Sequence, residues 1–222
     1  MAPGNWRAIV MAAPLLALVL EVPQGTLASA DATDREPRLA VTVEVDDPPL
    51  TIHERSGPLL PRVDSDEARL AGLAFLELTM RTEYDMTLVS YSSGENLFWV
   101  SGIHLTLAYR NPKVFISGRY HKGGCEFRAV LGHEEQHVRA DRAVVRTYGE
   151  KMRAALESAA WPTYKHPRQV TSLDEGKLEM GAQLAALVQP LFEEMKERRR
   201  EVRETLDSPE SYRRTHQQCA SH

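Results

Sequence analysis

The segment His133-Glu134-Glu135-Gln136-His137 combines the residue types and the spacing that a hydrolytic zinc site needs. On a helix, residues four apart lie on one face a turn apart, so both imidazoles can reach one ion. Glu134 follows the first histidine and is free to stay off the ion. It can take a proton from a water that the ion acidifies. Glu135 is expected to face solvent. A catalytic zinc takes three protein ligands and keeps a fourth position open, so one ligand must come from elsewhere in the chain.

Asp141 is eight residues after His133 on the same helical face. The helical rise nevertheless carries it about 12 Å along the axis from His133, too far to share an ion with both histidines. It is expected beside the site, either holding the His137 ring through Nδ1–H or paired with a neighbouring arginine. The residues alone leave Glu175, His121, Glu179, His166 and His216 open as the third ligand. Ser172 and Glu175 also spell a capping box, which requires no metal. His53 and His104 fall in strand-like segments and are read as structural. Tyr148 and Tyr164 are read as packing residues.

The elements that must hold this motif follow from periodicity. Leu39, Val41, Val43 and Val45 alternate with polar residues as in a strand, which Asp47-Pro48-Pro49 ends. Residues 67–80 fit either a short helix or a strand, and helix is the preferred reading. Met86–Tyr91, Leu97–Tyr109 and Val114–Ile116 are rich in β-branched and aromatic residues. Ser92-Ser93-Gly94 and Asn111-Pro112 separate them, so they read as consecutive strands of an antiparallel or mixed sheet. After Gly123-Gly124, Phe127, Val130, Leu131, Val138, Val145, Tyr148, Met152 and Leu156 recur at helical spacing up to Trp161-Pro162. A second helix opens near Ser172, with Met180, Leu184, Leu187, Val188, Leu191 and Met195 on one stripe and Pro190 as a kink. Its tail, 193–204, is read as a solvated face carrying opposite-charge pairs such as Glu194–Arg198. Strands followed by helices make one α+β domain.

The ends and the composition narrow the setting. Arg7, the apolar run Ala8–Leu20 and Ala28-Ser29-Ala30 form a secretory signal pattern, with cleavage expected after Ala30 and residues 31–222 forming the domain. No later stretch is long and apolar enough to be a membrane span. The net charge is −4 and basic residues are interleaved with acidic ones, so nothing recruits nucleic acid. Cys125 and Cys219 are expected to pair in an oxidising compartment, two free thiols being the alternative.

With HEEQH, a preceding strand at Val114-Phe115-Ile116 and the element Cys125-Glu126-Phe127, the chain resembles the zincin metallopeptidases. It is most similar to bacterial families of predicted secreted zinc-dependent proteases, over residues 112–180. The resemblance implies a zincin-like fold: a small N-terminal sheet with an edge strand that aligns substrate, the HExxH helix, then a long C-terminal helix. Asp174-Glu175-Gly176 resembles the acidic-Glu-Gly stretch by which gluzincins supply their third ligand. That makes Glu175 the preferred third ligand with His133 and His137, ahead of His121. The implied activity is Zn2+-dependent hydrolysis of a peptide or peptidoglycan-type amide, with Glu134 as base. The rival is a non-catalytic envelope protein holding a structural or scavenged metal through the same histidines.

Overall fold

The computed structural model describes residues 39–55 and 72–219, without the side chains of Arg55 and His216. The signal-like segment 1–30, the leader that follows it and residues 56–71 lie outside the described residues. In chain order the elements are β1 (Ala40–Asp46), β2 (Thr51–Arg55), β3 (Gly72–Ser90), β4 (Asn96–Ser117), α1 (Cys125–Ser158), β5 (Arg168–Val170), α2 (Leu173–Leu206) and α3 (Pro209–Gln217). The architecture is α+β around a mixed sheet.

β4 is the strand on which the sheet is built. β3 runs antiparallel along one edge of it, from Ser90 opposite Asn96 to Gly72 opposite Ile116. The other edge is shared in turn by β5 opposite 96–98, β1 opposite 102–108 and β2 opposite 113–117; β5 is antiparallel and the other two are parallel. The segment Val114–Ile116 is therefore interior, paired on both sides, and is not the edge strand expected ahead of the motif. Among the described residues, every strand pairs only with β4, so the outer edge of β3 is unpaired, as are those of β1, β2 and β5.

Two departures from the sequence reading share one cause. Residues 72–80 are strand, not helix, and 97–116 form one strand, not two. Alternation of buried residues along β4 runs through Phe98 and Val100, shifts to Ile103, Leu105, Leu107 and Tyr109, then shifts again to Val114 and Ile116. Each shift coincides with a register irregularity against β3, at Asp85/Met86 and at Phe75/Glu77. A bulge inserts a residue and moves the following side chains to the other face, so a period-two pattern breaks inside a continuous strand. Asn111, at φ 47°, takes up the left-handed conformation at the second irregularity. The same irregularity falls within residues 72–80, so β3 also loses the strict alternation that marks a strand.

α1 packs across β1, β3 and β4, and α2 packs on α1. Phe127, Val130, Val138, Val145, Tyr148, Met152 and Leu156 turn one face of α1 into the core, as its periodicity predicts. Met180, Leu184, Val188 and Met195 do the same for α2. α2 runs unbroken through Pro190, which is exposed together with Ala186, so the carbonyl that loses its N–H partner faces water. The charged tail of α2 is not wholly solvated, because Arg199 is buried. Glu194 bonds Tyr148 and Lys151, and Arg198 pairs with Glu201, in place of the expected Glu194–Arg198 pair. Among the described residues, no helix is long and apolar enough to cross a membrane.

Cys125 and Cys219 form a disulfide, as expected, between the first residue of α1 and the chain just past α3. A bridge spanning 94 residues constrains the unfolded chain by about 4–5 kcal/mol in the chain-entropy account. A Cys125→Ser/Cys219→Ser protein is expected to lose stability of that order in denaturant melts. Thiol titration of the unfolded, unreduced wild type should return no reactive group.

Candidate metal centre

α1 places His133 and His137 one turn apart on its buried face, 3% and 7% exposed. Their Nε2 atoms lie 3.2 Å from each other. The carboxylate brought to them belongs to Asp207, the residue that ends α2, with its N–H bonded to the Arg203 carbonyl at 2.9 Å. Asp207 Oδ1 is 3.0 Å from His137 Nε2 and 3.5 Å from His133 Nε2. The hydroxyl of Tyr212, on α3, donates to the same oxygen at 2.9 Å. The Tyr212 ring lies 5.2 Å from that of His133, so α3 closes this side of the site.

These spacings fit a metal. Bonds of about 2.0–2.1 Å at tetrahedral angles require donor atoms about 3.3 Å apart. The three observed separations are 3.2, 3.0 and 3.5 Å. Two imidazoles and one carboxylate also form a donor set that suits zinc and leaves one position open. Among the described residues this is the one cluster of three or more His, Cys, Asp or Glu side chains able to hold an ion.

Glu134 lies beside the cluster on the sheet side, 5% exposed, and its carboxylate accepts the Ala74 N–H from β3. A Cβ at Gly72 would meet Glu134 Oε1 at 2.6 Å and Val130 Cγ1 at 2.8 Å, so the close approach of β3 to this carboxylate needs glycine there. Burial pushes the Glu134 carboxyl above its ordinary range, and only partial opposition comes from His137, His133 and the Ala74 N–H. Burial acts on Asp207 in the same direction, but hydrogen bonds from His133 and His137 outweigh it and hold that carboxyl well below the usual carboxylate range. Burial, then the Asp207 charge, pushes the Tyr212 hydroxyl well above its ordinary value, so it remains a donor at neutral pH.

The Glu134 shift has a consequence for stability. A carboxyl whose pKa is raised by folding stabilises the fold as pH falls through the range just above ordinary carboxylate values, and costs stability once it ionises. At pH 7, metal-free Glu134→Gln protein is therefore expected to melt at a higher temperature than metal-free wild type in calorimetry. A lower melting temperature would mean that attraction to His137 and His133 outweighs the burial.

Comparison with family models, curated proteins and solved structures finds no match to this chain. The site is therefore read from its own geometry.

That geometry separates the expected site residues. His133, Glu134 and His137 are brought together. Glu175 is not among them: its Oε2 accepts from the Thr171 N–H and hydroxyl, both at 2.5 Å, while Ser172 Oγ accepts the Glu175 N–H at 3.2 Å. It caps the start of α2, as the capping-box alternative has it. Asp207 is at the other end of that helix, and 32 residues of rise put the two about 48 Å apart along the axis. Glu179 pairs with Arg168 on β5. His121 is exposed in the loop before α1, where its carbonyl accepts the Gly124 N–H, and His166 is exposed beyond α1. The His216 side chain lies outside the described residues.

Asp141 follows its ion-pair reading and does not hold the His137 ring. It is 2% exposed and bonds Arg199, Arg203 and Tyr109. His53 stacks on Phe115, and His104 bonds Thr42 and Asp85, both away from the centre. Tyr148 and Tyr164 are likewise engaged elsewhere, with Glu194 and Trp99. Asp207 and Tyr212 were missed because they fall after the helical stripe ends, in Leu206-Asp207-Ser208-Pro209, a segment that reads only as a helix stop.

Proposed function

We propose that this chain is an exported zinc-dependent hydrolase of peptide or other amide bonds, with His133, His137 and Asp207 as the metal ligands and Glu134 as the base. One observation carries the reading: three donor atoms converge at tetrahedral spacing with a buried carboxylate beside them that takes no part in the convergence. Zinc bound there supplies Lewis acidity, polarising a carbonyl and lowering the pKa of water towards about 7.

The chain's own residues do the rest. Glu134, with its proton affinity raised by burial, accepts a proton from the attacking water and returns it to the departing amine. The Ala74 N–H fixes that carboxylate against β3. Tyr212 orients Asp207 and stays protonated. The unpaired outer edge of β3, which reaches Glu134 at Gly72 and Ala74, suits an extended substrate that adds its own backbone to the sheet. Proteins of the export compartment and the peptide cross-links of peptidoglycan both offer such amides. The disulfide and the signal pattern at 1–30 support export.

The test is hydrolysis of an unfolded protein and of cross-linked peptidoglycan peptides by the zinc-loaded chain. Activity is expected to disappear with a chelator and to return with zinc. One equivalent of bound zinc with no hydrolysis of either substrate would favour the non-catalytic envelope protein.

A further inference from the structure

Eight residues before Asp207 on α2, a guanidinium is buried that the ligand set does not require. Arg199 is 9% exposed. Its Nε donates to Asp141 Oδ1 at 2.8 Å and its Nη2 donates to the Leu76 carbonyl at 2.9 Å. Asp141 Oδ2 accepts the Tyr109 hydroxyl at 2.8 Å, and Oδ1 also accepts from Arg203 Nη2 at 3.1 Å. Stability alone does not account for such a pair, because apolar residues of similar volume often stabilise a core as well or better.

Its positions suggest another role. Asp141 is one turn beyond His137 on α1. Arg199 is on the same helix as Asp207, with Arg203 between them. Leu76 is the residue of β3 at the register irregularity, two beyond the Ala74 whose N–H holds Glu134. One side chain thus ties together the three elements that deliver the second histidine, the third ligand and the base. Apolar contacts between α1 and α2 tolerate small slides, whereas a planar guanidinium fork accepts few geometries. A slip of one residue would move Asp207 by about 1.5 Å and turn it by about 100° around the helix.

We propose that Arg199, anchored on Asp141, is a positioning residue that sets the register of α2 on α1 so that Asp207 meets the histidine pair. It rests on the zinc reading above, and its test separates the two. Zinc affinity is measured by competition with a chromogenic chelator, on folded wild type, Asp207→Ala, Arg199→Lys and the paired variant Asp141→Asn/Arg199→Met. The last two are also made in the Asp207→Ala background. The paired variant removes both charges and keeps the volume, so it leaves no uncompensated buried ion. If it does not fold, Arg199→Lys, which keeps the charge but not the fork, carries the test.

The expected loss of affinity is about 10–100-fold in the wild-type background and less than about twofold in the Asp207→Ala background, where nothing remains to be positioned. Equal losses in both backgrounds would mean general loosening of the fold and overturn the proposal. So would wild-type affinity in Arg199→Lys while Asp207→Ala loses its zinc, an outcome that leaves the zinc reading intact. Wild type that takes up no zinc overturns both.

Discussion

Asp207→Ala protein is expected to bind zinc more than about 100-fold less tightly than wild type, whereas Glu175→Ala binds it as wild type does. Removing a direct ligand deletes a coordination bond, and the loss should exceed the 10–100-fold typical of residues that only support ligands. Asp207 Oδ1 lies within 3.5 Å of both imidazole Nε2 atoms. Glu175 has a different task at the far end of α2. Its substitution loses the bonds to Thr171, and the expected change is a small loss of stability with no loss of zinc. Zinc titrations run beside thermal melts check both halves. Undiminished zinc binding by Asp207→Ala would remove Asp207 from the ligand set.

Glu134→Gln is expected to keep its zinc and to lose at least about 100-fold in hydrolysis. The amide has the shape of the carboxylate and can still accept the Ala74 N–H, but it cannot take a proton from water. Metal analysis and a turnover assay on the same preparation check this. Equal zinc and equal activity in the variant would end the catalytic role of Glu134 and favour the non-catalytic alternative. Combined with the rise in melting temperature expected of the metal-free variant, the result would mark Glu134 as a residue kept at a cost to the fold.

Much of the site was legible because its central part is local. His133, Glu134 and His137 lie within five consecutive residues on one helix, and spacing alone brings them together. Both helices announced themselves through their apolar stripes, as did the capping of α2 by Ser172 and Glu175. Pairing across β4 was less legible, because its bulges break the alternation on which strand reading relies. The carboxylate that meets the histidines was misread for a geometric reason. α1 continues for 21 residues beyond His137, about 32 Å, before the chain turns back. A helix returning antiparallel along it must travel a similar distance before it comes level with the histidines, which favours the end of α2 over its start. The rise that excluded Asp141 also excludes Glu175. Arg199 carried a signal of its own, being four residues after Met195 on the buried stripe. Amid so many solvated Glu, Lys and Arg, its charge concealed it.

Because Cys125 and Cys219 are joined, every side chain of the centre lies on one closed covalent ring: His133, Glu134, His137, Asp141, Arg199, Asp207 and Tyr212 are all between the two sulfurs. A single cut in the connection between α1 and α2, residues 159–172, would open that ring without releasing either piece. The histidines and the aspartate would still belong to one molecule, at the high effective concentration that a tether provides. Such a clipped protein would run as one band without reductant and as two with it. The residues proposed to hold the metal are thus secured against a single clip in that connection.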